Sequence, residues 1–417
     1  MSDQRDRSTG EADLLRAMAE RRISRRDLLR YAGAGAGSVG LAAFLAACGV
    51  GGTGSQASPS RRPSPSPLPP KAGMVEVANW PLYIDLEDGK SATLDAFKKE
   101  SGIDVTYRED ISDNDEFFGT DLQQQLSAGQ PTGWDVIVVT DWMVAKLIRL
   151  GWIQELHQEV LPNATANLDD KFRNPRHDPN NRHSYPWAAG ITGIGYNKKL
   201  TTRPITRIAD LWDPSFKGKV GMFSEMRDTV NFALLLNGVR PPEEATMDDV
   251  EKAIEKLQQQ RDDGIVRAYY GNDYVDQLAG GNLDLTMAWS GDVNALRADN
   301  PDLEFVVPQE GGNRWTDNMC IPIRAAHPTD AHAWIDFVYK PDIAAGITEF
   351  VWYESPVKGV RELIAEHAKD DESLRAVSDS ELVWPSADIL ANTYDSKQLS
   401  EQEERDWHDL FDPLIQG

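Results

Sequence analysis

WDVIVVTDW, residues 134–142, decides how the rest of the chain is read. After Asp135 it is a continuous apolar run, the pattern of a strand buried on both faces, and such strands belong to sheets covered by helices on both sides. The next ten residues put Val144, Leu147 and Ile148 on one stripe and stop at Gly151, so the strand passes directly into an amphipathic helix. A strand followed at once by a helix is the unit of α/β architecture.

Working outward, the same alternation recurs. VEVANW begins a strand at residue 75, and a helix near 91–100 follows with Leu94 and Phe97 on one face. Residues 104–108 alternate as a second strand, and further strands are expected at 219–223, 283–289 and 304–307, with a helix at 330–339. These elements predict an α/β fold built on mainly parallel sheets. No repeat at a fixed period is present, which disfavours a solenoid or propeller. At 417 residues the chain is too long for one core, so two lobes are expected.

The formal net charge is −24, unevenly spread. Residues 1–48 hold eight arginines against six acids, and residues 49–73 hold three basic residues and no acid. That leaves 32 basic against 61 acidic residues, a net of −29, from residue 74 onward. Such a field repels nucleic acid and attracts cations. With two cysteines, Cys48 and Cys320, neither a disulfide framework nor a cysteine-based zinc site is available. Cys320, in the run MCIPI, reads as a small buried hydrophobe.

Residues 24–30 read SRRDLLR, and the 17 residues from 31 to 47 form a weakly apolar, Gly/Ala-rich segment ending in small residues. Basic, then apolar, then small is the order of an export signal. Four glycines in 17 residues make a poor membrane span. The segment is similar to a twin-arginine signal at Arg25 and Arg26, and LAAC at 45–48 resembles a lipobox whose Cys48 is lipidated. Residues 49–73, rich in Gly, Ser and Pro, lack periodic apolar positions and read as a disordered linker.

Open α/β sheets bind ligands past the carboxyl ends of their strands. There stand Trp80, Pro81 and Tyr83; Thr140, Asp141 and Trp142; Ser224, Glu225, Arg227 and Asp228; and Trp289, Gly291 and Asp292. Aromatics and carboxylates dominate, with one arginine among them. Taken singly, a tryptophan usually fills a core and an Asp or Ser caps a helix; their recurrence at four strand ends is the signal. An anionic ligand would call for Arg, Lys or glycine-rich amide nests. An alkyl chain with ammonium ends calls for aromatic faces and matched acids, because a buried unpaired ammonium is too costly.

Enzyme motifs are absent: there is no G-x-S-x-G, HExxH, P-loop or CxxC, and the seven histidines lack ligand spacing. His183, His327 and His332 read as surface or capping residues. Asp110, Asp113 and Asp115 lack the glycine and distal Glu of a calcium loop and read as a solvated helix start. No catalytic residue, metal or cofactor is expected.

NWPLYI, WDVIVV, FKGKVGMFSEMRD, MAWSGD, EGGNRWTDNMCIP and WYESPVKG, in this order, closely resemble the periplasmic spermidine/putrescine-binding proteins of polyamine ABC transporters, over residues 74–359. The resemblance implies a two-lobed type II periplasmic-binding-protein fold with a hinge. It places residues 74–186 and 316–361 in lobe 1 and residues 187–315 and 362–417 in lobe 2. By position it carries ligand contacts onto Trp80, Pro81, Tyr83, Thr140, Trp142, Glu225, Asp228, Trp289, Asp292, Trp315, Asp317 and Tyr353. Trp289 would stack on methylenes while Asp292 pairs with a terminal ammonium. Pro81 stands where the family often has a hydroxyl residue, and Leu82 where putrescine-type members carry an acid. The function implied is a lipid-anchored, extracytoplasmic, monomeric receptor that closes on a polyamine and delivers it to a membrane permease. A receptor of the same fold for another small solute and an exported hydrolase are the alternatives.

Overall fold

The structure is a computed structural model that describes residues 66–86, 89–371 and 374–416. Arg25, Arg26, Cys48 and the linker up to residue 65 lie outside the described residues.

Strand β1 (Met74–Ala78) pairs in parallel with β2 (Asp104–Arg108) and β3 (Val136–Thr140). Helix α1 (Ala92–Ser101) makes the first crossover. Its start is fixed by Ser91, whose side chain accepts from Leu94 N, and its end by Gly102 in the left-handed region at φ 73°. Helix α2 (Asp141–Leu150) leaves β3 directly and ends at Gly151, φ 69°. Every residue of β3 is buried, as a run without alternation requires.

The second half repeats the scheme. Strand β4 (Ser184–Asn197) leads to β5 (Val220–Phe223), helix α3 (Met226–Leu236), helix α4 (Met247–Asp262) and β6 (Val266–Tyr270). Then come β7 (Leu285–Trp289), helix α5 (Ser290–Asp299) and β8 (Leu303–Val306). Strand β9 (Gly312–Cys320) returns the chain to the first half, where helices α6 (Pro328–Val338) and α7 (Pro341–Val351) pack. After α7, the short helix Val360–His367 packs on α7, whereas the last helix, α8 (Glu401–Gln416), packs on α4. The two-residue strand β10 (Thr393–Tyr394) pairs with β9.

The sheet order is β2-β1-β3-β9-β4-β7-β5-β6, with β8 on β4 and β10 on β9. The sheet is therefore mixed, not mainly parallel. Pairs β3–β9, β4–β9, β4–β7 and β4–β8 are antiparallel, and β4 with β9 forms a long central ribbon linking the two parallel halves. The register of that ribbon shifts between Pro186 and Ala188. A proline inside a strand supplies no N–H to the ladder, and a bulge is where a sheet accommodates that. Trp187 at the bulge stacks on Trp334, with ring centroids 6.3 Å apart.

Two expectations about polar residues need correcting. His332 is buried, not at the surface: its Nδ1 lies 2.6 Å from Pro328 O, and its Nε2 accepts from His157 N at 3.0 Å. Both ring nitrogens are thus partnered, which removes the cost of burying them. Asp113 does start a helix, accepting from Asp115 N and Glu116 N, but it too is buried rather than solvated. His183 and His327 are half-buried and pair with Asp178 and Asp135. Cys320 is a free, buried thiol.

Candidate functional site

The carboxyl ends of β1, β3, β5 and β7 meet along one side of the β4–β9 ribbon. Register alone sets the first contact: β3 and β9 pair Thr140 with Asp317 across the ladder. The Thr140 hydroxyl donates to Asp317 Oδ1 at 2.7 Å, and the Tyr83 hydroxyl, from the loop after β1, donates to Oδ2 at 2.9 Å. Two residues back on the same face of β9, Trp315 Nε1 donates to Thr192 Oγ1 of β4 at 3.1 Å. Thr192 in turn donates to Asp228 Oδ2 at 3.0 Å. Asp228 also accepts from Trp289 Nε1 at 3.3 Å and from Asn313 Nδ2 at 2.7 Å.

Asp292, in the first turn of α5, accepts from the Tyr274 hydroxyl at 2.8 Å and the Tyr353 hydroxyl at 2.7 Å. Glu225, ahead of α3, accepts from the backbone N–H of Asn114 at 2.7 Å and from its Nδ2 at 2.9 Å. Those bonds reach across the cleft, as does the one from Ser224 Oγ to Asp113 Oδ2 at 2.8 Å.

The rings between these acids form a continuous wall. Trp289 meets Trp80 edge-on at 5.8 Å between centroids and Trp315 at 6.5 Å. Tyr353 meets Trp315 at 5.4 Å and Tyr83 at 5.2 Å. Two glycines leave room for them. A Cβ on Gly190 would lie 2.5 Å from Trp315 Cζ2, and one on Gly291 would lie 2.5 Å from Tyr353 Cε2. Gly291→Ala is therefore expected to displace the Tyr353 ring from Asp292 and to lower stability by about 1–3 kcal/mol, the usual range for overpacking, as read by urea unfolding. A Tyr353→Phe variant should lose less, since it removes only the hydroxyl.

Four carboxylates, Glu225 and Asp317 buried and Asp228 and Asp292 half-buried, thus share one cavity, and every hydrogen bond described on them comes from a neutral donor. Burial is the main cause of their raised pKa values. It pushes Asp317 up to about 7 and Asp292 up to about 6 in spite of the hydroxyl donors on each. Asp228 is raised by burial, and Glu225 well above the carboxylate range by burial and then by the charge of Asp113. Asp113 itself is raised to about 6, by burial and then by Asp115. The buried cation on this wall, Arg227, also lines the cavity: its guanidinium lies over the Trp142 ring at 4.5 Å and donates to Lys397 O at 2.8 Å. The lining acids therefore outnumber the one lining cation four to one.

All twelve residues expected at the site, Trp80, Pro81, Tyr83, Thr140, Trp142, Glu225, Asp228, Trp289, Asp292, Trp315, Asp317 and Tyr353, line this cavity, which encloses about 530 Å³ including its opening to solvent. Leu82 instead points outward, 55% exposed, so the residue at that position does not face the cavity interior. Asn114, Arg227, Asn272 and Ser396 also line it, and none of the four was assigned to the site from the sequence. Asn272 stands just past the carboxyl end of β6, so the strand-end rule would have found it had that strand been recognised. Ser396 carries no local signal, because the chain folds back to the cavity from β10.

Comparison with known proteins agrees with this architecture. The sequence pattern of the family described as bacterial extracellular solute-binding protein matches residues 92–376. The spermidine/putrescine-binding periplasmic protein of Salmonella typhimurium is 30% identical over 301 residues, covering 71% of this chain and 81% of that protein. A structure from Listeria monocytogenes assigned to a spermidine/putrescine ABC transporter is 26% identical with a TM-score of 0.72, covering 83% of this chain and 99% of that one. The A. tumefaciens binding protein AgtB, in complex with agropinic acid, is 17% identical with a TM-score of 0.62, covering 82% and 96%, and is similar in fold alone. These relatives are solute-binding proteins rather than enzymes, their fold is two-lobed, and the chain belongs with them to the bacterial extracellular solute-binding protein family.

Proposed function

We propose that the cavity takes up a polyamine of the putrescine or spermidine class, held by lobe closure and passed unaltered to a membrane permease. The observation that carries this is the set of four carboxylates, buried Glu225 and Asp317 and half-buried Asp228 and Asp292, between aromatic rings and with Arg227 as the one cation lining the same cavity. An ammonium would neutralise each acid it meets, while the ring faces of Trp80, Trp289 and Trp315 cover the methylenes. Each cation–π contact contributes roughly 0.5–2 kcal/mol, most when water is excluded. The name of the Salmonella relative supports the same class. A shared fold does not choose a ligand, since AgtB takes agropinic acid. A carboxylate solute in this cavity would meet four acids against the single guanidinium of Arg227.

In this reading the lobes are residues 74–186 with 316–361 and residues 187–315 with 362–417. They move about the β4–β9 ribbon, and the bonds between Asn114 and Glu225 belong to the closed form. The family supports export from the cytoplasm. Anchoring through a lipidated Cys48 after twin-arginine export, action as a monomer and docking on permease subunits complete the proposal. Among the described residues no helix is long and apolar enough to cross a membrane.

A thermal-shift panel tests the solute class. Putrescine, spermidine, spermine and agmatine should each be compared with glutamate and an opine acid. At a ligand concentration of 100 Kd the stabilisation expected is about 2.7 kcal/mol. A melting temperature that no amine raises, or that an anion raises more, would reject the proposal.

A further inference from the structure

Outside the cavity, a row of ionic contacts joins its two walls through α8. That helix is mounted on the second half of the fold. Arg261 of α4 donates to Leu414 O at 2.7 Å, and Phe411 meets Tyr269 of β6 at 6.4 Å between centroids. From this mounting α8 reaches the first half. The buried Glu404 carboxylate lies 2.8 Å from Lys146 Nζ and 2.7 Å from Arg149 Nη2, both on α2. One turn on, His408 Nε2 lies 3.6 Å from Asp115 Oδ2. Glu404 also faces inward, 3.9 Å from Arg227 Nη2, the guanidinium that covers Trp142 of the cavity.

The carboxylates of Asp115 and Glu404 with His408 stand close enough together to hold a metal ion. Lys146 already occupies that place: its ammonium is 2.8 Å from Glu404, 3.6 Å from Asp115 and 3.7 Å above the Phe118 ring. The cation of this cluster is the chain's own, supplied by one half to acids of both.

We propose that α8 is a clasp across the cleft and that Glu404, which lines no part of the cavity, is a positioning residue for solute binding. Lys146 and Arg149 move with the half that carries β3, whereas α8 and Arg227 move with the half that carries β5 and β6. The contacts of Lys146 and Arg149 with Glu404 exist only while the halves are together. Removing the carboxylate takes the partner from half-buried Lys146 and exposed Arg149 in that arrangement and in no other, so it shifts the molecule toward the open form. Solute affinity falls with the closed fraction. The choice of probe rests on the polyamine reading above; the clasp itself does not.

The experiment compares Glu404→Gln with the unaltered protein, and with Glu401→Gln on the exposed side of the same helix as control. Putrescine and spermidine are titrated by calorimetry, and dissociation is followed by stopped flow. Glu404→Gln is expected to weaken binding roughly tenfold, within the range of ordinary coupling between distant sites, chiefly through faster dissociation. Glu401→Gln is expected to change neither quantity. Unchanged affinity and dissociation in Glu404→Gln would overturn the proposal. If that variant does not fold, Lys146→Gln with Arg149→Gln removes the same contacts from the other side and must show the same loss. If the unaltered protein binds neither amine, the solute reading fails, and small-angle scattering of the unliganded chains judges the clasp. A larger radius of gyration in Glu404→Gln supports it, and equal radii overturn it.

Discussion

Asp317→Asn is expected to weaken putrescine or spermidine binding by about 2–5 kcal/mol, the usual loss when one member of a buried charge pair is removed. That is roughly thirtyfold to several thousandfold in Kd. The substitution keeps the shape of the side chain: one of the hydroxyls of Tyr83 and Thr140 still donates to the remaining oxygen, and the other can turn to accept from the new NH2. What it removes is the charge that an ammonium must meet. The unliganded protein should lose little stability, because that carboxyl is already raised to about 7 by burial and gains proton-linked stability only when neutral. Titration calorimetry beside urea unfolding separates the two effects. Wild-type affinity in the variant would remove Asp317 from the site, and loss of both affinity and stability would mean that it serves the fold.

Affinity should also fall steeply with acidification. In the unliganded cavity Asp317 titrates at about 7 and Asp292 at about 6. Each must ionise to receive an ammonium, which then holds it ionised, so binding expels protons. Above about pH 7 both acids are ready. As the pH falls through 7 and then 6, each in turn demands work, and between pH 8 and pH 5 the two together cost roughly a thousandfold in affinity. The unliganded fold responds in the opposite sense. Both pKa values are raised above those of unfolded aspartate, about 3.9. Their contribution to stability is therefore complete below that value and is lost as the pH rises through 6 and 7. Calorimetry in buffers of different ionisation enthalpy would show the protons released near pH 6.5. A flat pH profile from 5 to 8 would mean that these two acids do not hold the solute's charge.

Much of the fold was legible because its signals are local. Strand β3, helix α2 and its stop at Gly151 can be read from residues 134–151, since burial on both faces and a left-handed C-cap leave marks in adjacent residues. The central ribbon leaves no such mark. In β4 the glycines at 190, 193 and 195 interrupt the apolar pattern, and their reason lies in the rings of Trp315 and Phe305 and in the Ala288 side chain, all from distant strands. In β9 polar and apolar residues alternate irregularly because one face lines the cavity and the whole strand is flanked by neighbours. The site was legible where strands end in aromatics and acids. It was not where the contribution depends on chain returning from elsewhere, as with Ser396 and with α8. The burial of His332 and Asp113 was misjudged for a related reason: the partners that permit it are remote or backbone groups that composition does not reveal.

The ribbon of β4 and β9 carries Thr192, Trp315 and Asp317 on the very strands about which the halves turn in the closure proposed above. On that proposal recognition and mechanics are written into one length of backbone, and a substitution there that retunes the preferred solute also alters how readily the molecule opens. Attempts to re-engineer selectivity are better directed at Tyr83, Asp292 and Tyr353, which reach the pocket from loops and helices off the pivot.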